Sequence, residues 1–174
     1  MLEAKLERRS LAAPPRAVRA QRTDALAALE AGLAGAVVAV ALLQFFAVSI
    51  YDESPWRLMR MMAAVVRGPG ALEPDDEFDA VVVATGTLVH FALSLLYALA
   101  LACLISEAPR RHVALIGLAF GTALYFANFH GFAALFPWFA PLRTLDTLVA
   151  HMLFGVIVAE GYRAIDHRRA RMRA

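Results

Sequence analysis

The chain has 174 residues, 60% of them hydrophobic and 18% charged, with a formal net charge of +2. Its mean hydropathy of +0.59, together with an apolar share above the roughly 45–50% of soluble domains, excludes an ordinary soluble enzyme or a nucleic-acid-binding module. The single cysteine, Cys103, excludes an internal disulfide.

Four apolar runs are long enough to cross a bilayer, since about 20 residues at about 1.5 Å rise span a hydrocarbon core of about 30 Å. They cover roughly 27–51, 80–105, 113–136 and 145–165. Barrel strands would alternate polar and apolar residues, and these runs do not. The predicted fold class is therefore all-α, a polytopic membrane four-helix bundle. The expected organisation is a basic tail over 1–22, the bundle over 23–166 and a second basic tail over 167–174.

In chain order, Lys5, Arg8, Arg9, Arg16, Arg19 and Arg22 precede the first span, and Pro14-Pro15 interrupts this segment. The first apolar run is too long and too late to be the apolar core of a cleavable signal, so the segment is expected to be a cytoplasmic tail that either lies on anionic lipid or a partner or is disordered. Thr23-Asp24 offers a helix cap. Gly32, Gly35 and Ala39 form a small-residue face for close helix packing, and Gln44 is the strongly polar group deep in this span.

The longest loop, 52–79, holds Ser54-Pro55, a start signal for a short helix. Trp56, Met59, Met62, Ala63 and Val66 then recur at helical spacing, opposite Arg57, Arg60 and Arg67. The pattern predicts a short amphipathic helix in the outer interface, ended by Gly68-Pro69-Gly70, with its arginines facing lipid phosphates or a partner. The acidic cluster Glu73 to Glu77 precedes the second span and suits the positive end of its helix dipole.

A tight turn with Arg110 and Arg111 joins the second and third spans. Gly117 and Gly121 form a GxxxG pair in the third. That span ends in Asn128, His130 and an aromatic belt that includes Trp138, the mark of a membrane interface. The fourth carries Asp146, His151 and Glu160 before Arg163, Arg168, Arg169, Arg171 and Arg173. This distribution of positive charge predicts both termini in the cytoplasm. Arginine outnumbers lysine sixteen to one, a bias of GC-rich bacterial genomes, so the expected location is a bacterial inner membrane.

Two echoes run through the chain. Pro55-Trp56 follows the first span and Pro137-Trp138 the third; Thr87-Leu88-Val89-His90 lies in the second and Thr147-Leu148-Val149-Ala150-His151 in the fourth. They predict two parallel, pseudo-repeated helical hairpins, each with a histidine inside a span. Counted from the outer ends, His90 lies about 16 Å deep and His151 about 12 Å deep, with Gln44 and Asn128 at about 10–12 Å and His130 shallower. Ionisable groups at such depth face a bundle interior and mark specific pairing or function.

Three readings of this polar layer are open: hydrogen bonding between helices, axial ligation of a b-type haem by His90 and His151, or a quinone, proton or small-solute site that includes His151 and Asp146. Asp146 and His151 lie about 140° apart around their helix, so they do not form a dyad within it. No zinc motif, phosphate loop or Ser/His/Asp set occurs, so neither a catalytic residue nor a metal ligand is expected. Basic residues without interleaved aromatics point to lipid rather than nucleic acid.

The stretches Glu53-Ser54-Pro55-Trp56-Arg57, Thr87-Leu88-Val89-His90-Phe91 and Asn128-Phe129-His130-Gly131-Phe132, with Phe136-Pro137-Trp138-Phe139, resemble a group of short four-span proteobacterial membrane proteins. The resemblance covers roughly 32–162 and implies the same four-span fold but no active residues. Some members carry the label sodium:proline symporter, yet sodium-coupled symporters of that class have many more spans and two broken helices. The expected function is that of an accessory or stabilising subunit of a larger membrane assembly, such as a respiratory or redox complex, with membrane lipids, other subunits or a second copy as partners. The alternative is an autonomous haem- or quinone-binding protein, or a small-solute transporter, centred on His90 and His151.

Overall fold

A computed structural model describes residues 23–172; the calls on the basic segment 1–22 and on 173–174 lie outside the described residues. The described chain forms α1 (Ala25–Ser49), α2 (Arg57–Arg67), α3 (Ala80–Ile105), α4 (Val113–Phe126) and α5 (Leu145–Met172), with a π-helical segment, Ala127–Gly131, continuing α4. Short 3₁₀ turns lie in the connections after α2, α3 and the π-helical segment, an irregular turn joins α1 to α2, and no strand occurs among the described residues. The helices α1, α3, α5 and the composite Arg110–Ala134 are each long and apolar enough to cross a membrane. The protein is a small multi-pass integral membrane protein built as an all-α four-helix bundle.

Local chemistry sets the helix starts. Asp24 caps α1 by accepting from the Ala27 N–H at 3.0 Å, and Asp79 caps α3 by accepting from Val81 and Val82 at 2.8 and 3.0 Å. The Asp79 carboxyl is held below its ordinary range, first by the Val82 N–H, then by the Val81 N–H and the nearby Arg60 and Arg67 charges, against a smaller opposing effect of desolvation. The end of α5 extends the bundle past the expected limit at 166. Its Arg169 pairs with Asp24 at 3.0 Å and Glu30 at 2.5 Å, which ties the last turns of α5 to the first turns of α1.

Packing is organised around α5, which lies against both α1 and α4, while α3 packs on α1. Glycine allows the closest approaches. A Cβ on Gly155 would stand 2.0 Å from the Gly117 carbonyl oxygen, and one on Gly121 2.1 Å from that of His151. At α1 the same role falls to Gly32 against Ala98 and Gly35 against Val158. Near the termini, small and branched side chains close the core: Ala27, Ala28, Ala31, Leu101, Ala102, Ile105, Val113, Val158 and Tyr162.

The predicted short helix exists as α2, and the rest of the protein holds it in place. It packs on α3, where a Cβ on Gly86 would meet the Met59 carbonyl oxygen at 1.9 Å. Arg60, expected on the lipid-facing side with Arg57 and Arg67, turns inward and is 3% exposed. Its guanidinium donates to the Ala71, Glu73 and Glu77 carbonyls at 3.1, 3.5 and 2.7 Å, which pins the loop beneath α2. The loop backbone turns those carbonyls away from regular helix bonds, and a five-donor side chain satisfies several at once. Arg57 instead pairs with Glu53, four residues earlier in the α1–α2 connection. Trp138 packs against Phe136 and Phe139 and donates its indole N–H to the Met61 carbonyl at 3.1 Å, while Trp56 packs against Phe78.

Both helical hairpins are present, α1 with α3 and α4 with α5, and the relation between them falls short of a strict twofold. A strict twofold would require α3 to pack on α4 as α1 packs on α5, yet α3 and α4 barely touch. A gap therefore remains at the α3–α4 seam, on the side of the bundle roofed by α2.

Two expectations follow. Replacing Gly155 with alanine forces α4 and α5 apart and destabilises the detergent-solubilised protein by about 1–3 kcal/mol, whereas Gly70→Ala, whose Cβ meets nothing within 4 Å, stays within about 0.5 kcal/mol; thermal unfolding checks both. Asp79 has a depressed folded-state pKa, so its contribution is present at pH above about 3.9 and is lost as pH falls through the folded value. Asp79→Asn retains a capping oxygen without the charge, so its melting temperature is expected to vary less than wild type's below about pH 4.

Candidate functional site

The gap between α3 and α4 is a partly open cavity of about 230 Å³. Its walls come from all five helices. Helix α3 supplies His90, Leu93, Ser94 and Tyr97, and α5 supplies His151 and Phe154. Leu58, Met62 and Val65 of α2 form the roof. The α4 side adds Leu124, Asn128 and Phe129, followed by Phe132, Phe136 and Phe139. The surface is predominantly apolar, with five polar side chains and no Lys, Arg, Asp or Glu among those that line it.

The π-helical turn explains why Asn128 reaches the cavity. Widening the helix by one residue per turn rotates the side chains that follow and leaves backbone carbonyls out of the ordinary ladder. Asn128 and Phe129 face the cavity while His130 is exposed. The Phe129 carbonyl accepts from Arg143 Nε at 2.7 Å. The seam itself is bridged by one polar contact, in which Tyr97 donates its hydroxyl to Asn128 Oδ1 at 2.9 Å. That geometry leaves both amide hydrogens of Asn128 without a protein acceptor among the described residues.

The histidines are oriented by carbonyl oxygens, which can only accept. His90 Nε2 lies 3.2 Å from the Ala36 carbonyl of α1, so this nitrogen carries the proton and Nδ1 of the neutral ring is an acceptor. His151 Nδ1 lies 2.8 Å from the Thr147 carbonyl one turn earlier, so Nε2 is the acceptor. The ring of Phe129 stands edge-on to His151 with centroids 5.2 Å apart. The echoed histidines thus face one cavity but are anchored differently, one across helices and one within its own.

The remaining polar residues predicted for this layer lie elsewhere. Gln44 reaches out of α1 to donate to the Pro55 carbonyl at 2.6 Å, tying α1 to the start of α2. His130 stacks beside Tyr125 and Phe126 on the outer surface. Asp146 accepts from the Tyr51 hydroxyl at 2.9 Å, which joins the end of α1 to the start of α5. Of the six, the structure brings together His90, Asn128 and His151. Ser94 and Tyr97 complete the set, and their spacing of four and seven residues from His90 places all three on one face of α3.

The donor set and the volume do not fit a b-type haem. The Nε2 of His90 is engaged by a backbone carbonyl, and about 230 Å³ is below the roughly 300–1,000 Å³ of pockets for drug-sized ligands. The space admits one substituted six-membered ring, for comparison with the roughly 150 Å³ apolar cavity that takes up benzene, but not a porphyrin. Among the described residues no group of three or more His, Cys, Asp or Glu side chains could hold a metal ion.

Comparison with protein-family models, with curated proteins and with solved structures finds no match to this chain.

The bond across the seam gives a direct test. Tyr97→Phe removes it while keeping the ring, and is expected to cost about 0.6–2 kcal/mol in thermal unfolding. Spin labels on α3 and α4 should report a wider separation between these helices in the variant.

Proposed function

We propose that this protein binds a neutral, lipid-soluble small molecule in the cleft between α3 and α4. The single observation that carries this reading is the convergence of His90, Asn128 and His151, with Ser94 and Tyr97, on an otherwise apolar cavity. A few oriented polar groups in a concave apolar surface are the usual makeup of a small-molecule site. Polar side chains within membrane spans are costly unless they are paired or used. Here the hydrogen-bonding capacity of three of them is only partly spent inside the protein.

The cleft lies between two helices that would face lipid, so a ligand dissolved in the bilayer could enter sideways without crossing water. The bias of positive charge toward the termini and the α3–α4 turn supports an orientation with both termini in the cytoplasm. The cleft then sits in the outer half of a bacterial inner membrane. The accessory-subunit role fits as the setting for this activity: a four-span protein of this size, with α5 packed between α1 and α4 and large apolar side chains exposed on its outer faces, holds its ligand beside a larger membrane assembly.

An alkyl-aryl diazirine, dissolved in nanodiscs that contain the full-length protein, tests the reading by photolabelling. Label is expected to concentrate on Leu93, Tyr97 and Asn128. Filling the cleft by Ser94→Trp should lower labelling there by about tenfold, the equivalent of about 1.4 kcal/mol. Labelling spread evenly over lipid-facing residues such as Phe45 and Leu88, and unchanged by Ser94→Trp, would reject the site.

A further inference from the structure

We infer that the ligand class of this cleft is a 1,4-dioxygenated ring, the quinone/quinol pair; this rests on the binding reading above and narrows it. Charge gives the first restriction. With no lysine or arginine on the lining, the cavity offers nothing to neutralise a fatty acid or phospholipid headgroup, and with no carboxylate it offers nothing to an ammonium group. The ligand is neutral.

The arrangement of donors and acceptors gives the second. Asn128, on the α4 wall, keeps two amide hydrogens after its oxygen accepts from Tyr97. His90 on α3 and His151 on α5 each present a bare ring nitrogen, because each has already given its N–H to a backbone carbonyl. A carbonyl oxygen suits the Asn128 donor, and a hydroxyl hydrogen suits either histidine acceptor. A ring with oxygens at opposite ends can engage separate walls at once. The oxidised form uses the amide, and the reduced form adds a hydrogen bond to an imidazole.

Shape gives the third. Phe129, Phe132, Phe136 and Phe139 gather at the end roofed by α2 and make an aromatic wall for a flat ring. The volume of about 230 Å³ suits such a headgroup, while an isoprenoid or alkyl tail leaves through the seam into lipid.

The test is competition against the cleft photolabelling just described, with decylubiquinone, decylubiquinol and decylbenzene as competitors of equal tail length. The quinone and quinol are expected to compete at about tenfold lower concentration than decylbenzene. Asn128→Leu should weaken the quinone by about tenfold and leave decylbenzene unchanged, and His151→Phe should weaken the quinol more than the quinone. Asn128→Leu also breaks the seam bond, so decylbenzene serves as the control for the shape of the cleft: its unchanged competition in the variant separates loss of the amide donor from loss of the packing. If all three competitors are equal, or if neither variant separates quinone from quinol, the ligand class is overturned while the cleft remains a hydrophobic site. Absence of cleft labelling in the wild-type protein overturns both readings.

Discussion

The close crossing of α4 over α5 is the constraint on which the rest of the architecture depends. In a bilayer there is little hydrophobic gain in bringing two helices together, because the lipid tails are as apolar as the side chains; tight association relies on van der Waals contact and interhelical polar bonds. Gly117, Gly121 and Gly155 let the backbones of α4 and α5 touch, and Gly35 lets α1 approach the opposite side of α5. With α5 taken up by two neighbours, α4 is drawn toward α5 and away from α3. The cavity is the geometric remainder of that choice. Arg163 limits the separation at the other end by donating to the Ser106 and Ala108 carbonyls of the α3–α4 turn, so the gap is confined to the half of the bundle beneath α2.

The roof follows from a second local solution. An amphipathic helix lying loosely at an interface would leave the cavity open to headgroups and water. Gly86 brings α2 onto α3, and the inward Arg60 holds the loop beneath it by backbone carbonyls rather than by a carboxylate. Trp138 fixes the same helix from the second hairpin. A buried guanidinium is expensive unless its donors are satisfied, and satisfying this one with several carbonyls couples the geometry of α2 to that of the loop. The cleft therefore has a rigid cap at one end and an aromatic wall beside it.

Much of this was legible in the chain because it follows from composition and local spacing. The four spans need only length and apolarity. Asp24 and the helix over 57–67 come from capping and 3.6-residue periodicity, and the glycines of α1 and α4 are recognisable as close-contact positions. The residues that resisted reading depend on partners far away in sequence. Arg60 has the spacing of a solvent-facing arginine, and only the carbonyls of 71–77 turn it inward. Gln44 has the depth of a core residue, but Pro55 draws it out of the layer. Gly86 and Gly155 carry no motif of their own, although each lies four residues from an echoed histidine, on the same helical face.

The twofold echo is informative through the point at which it fails. Equivalent hairpins would place equivalent interfaces on either side of the bundle, and a symmetric bundle of this size would have no room between α3 and α4. The second hairpin closes tightly on itself through glycine, whereas the first spends part of its packing on α2, the insertion that its partner lacks. His90 consequently reaches across to α1, and His151 turns back along its own helix. Both line the shared cavity and keep one ring nitrogen without a protein partner among the described residues. A repeat that supplied two like histidines has thus produced unlike neighbours around one space, and the proposed ligand site rests on this asymmetry, with Asn128 on the third wall.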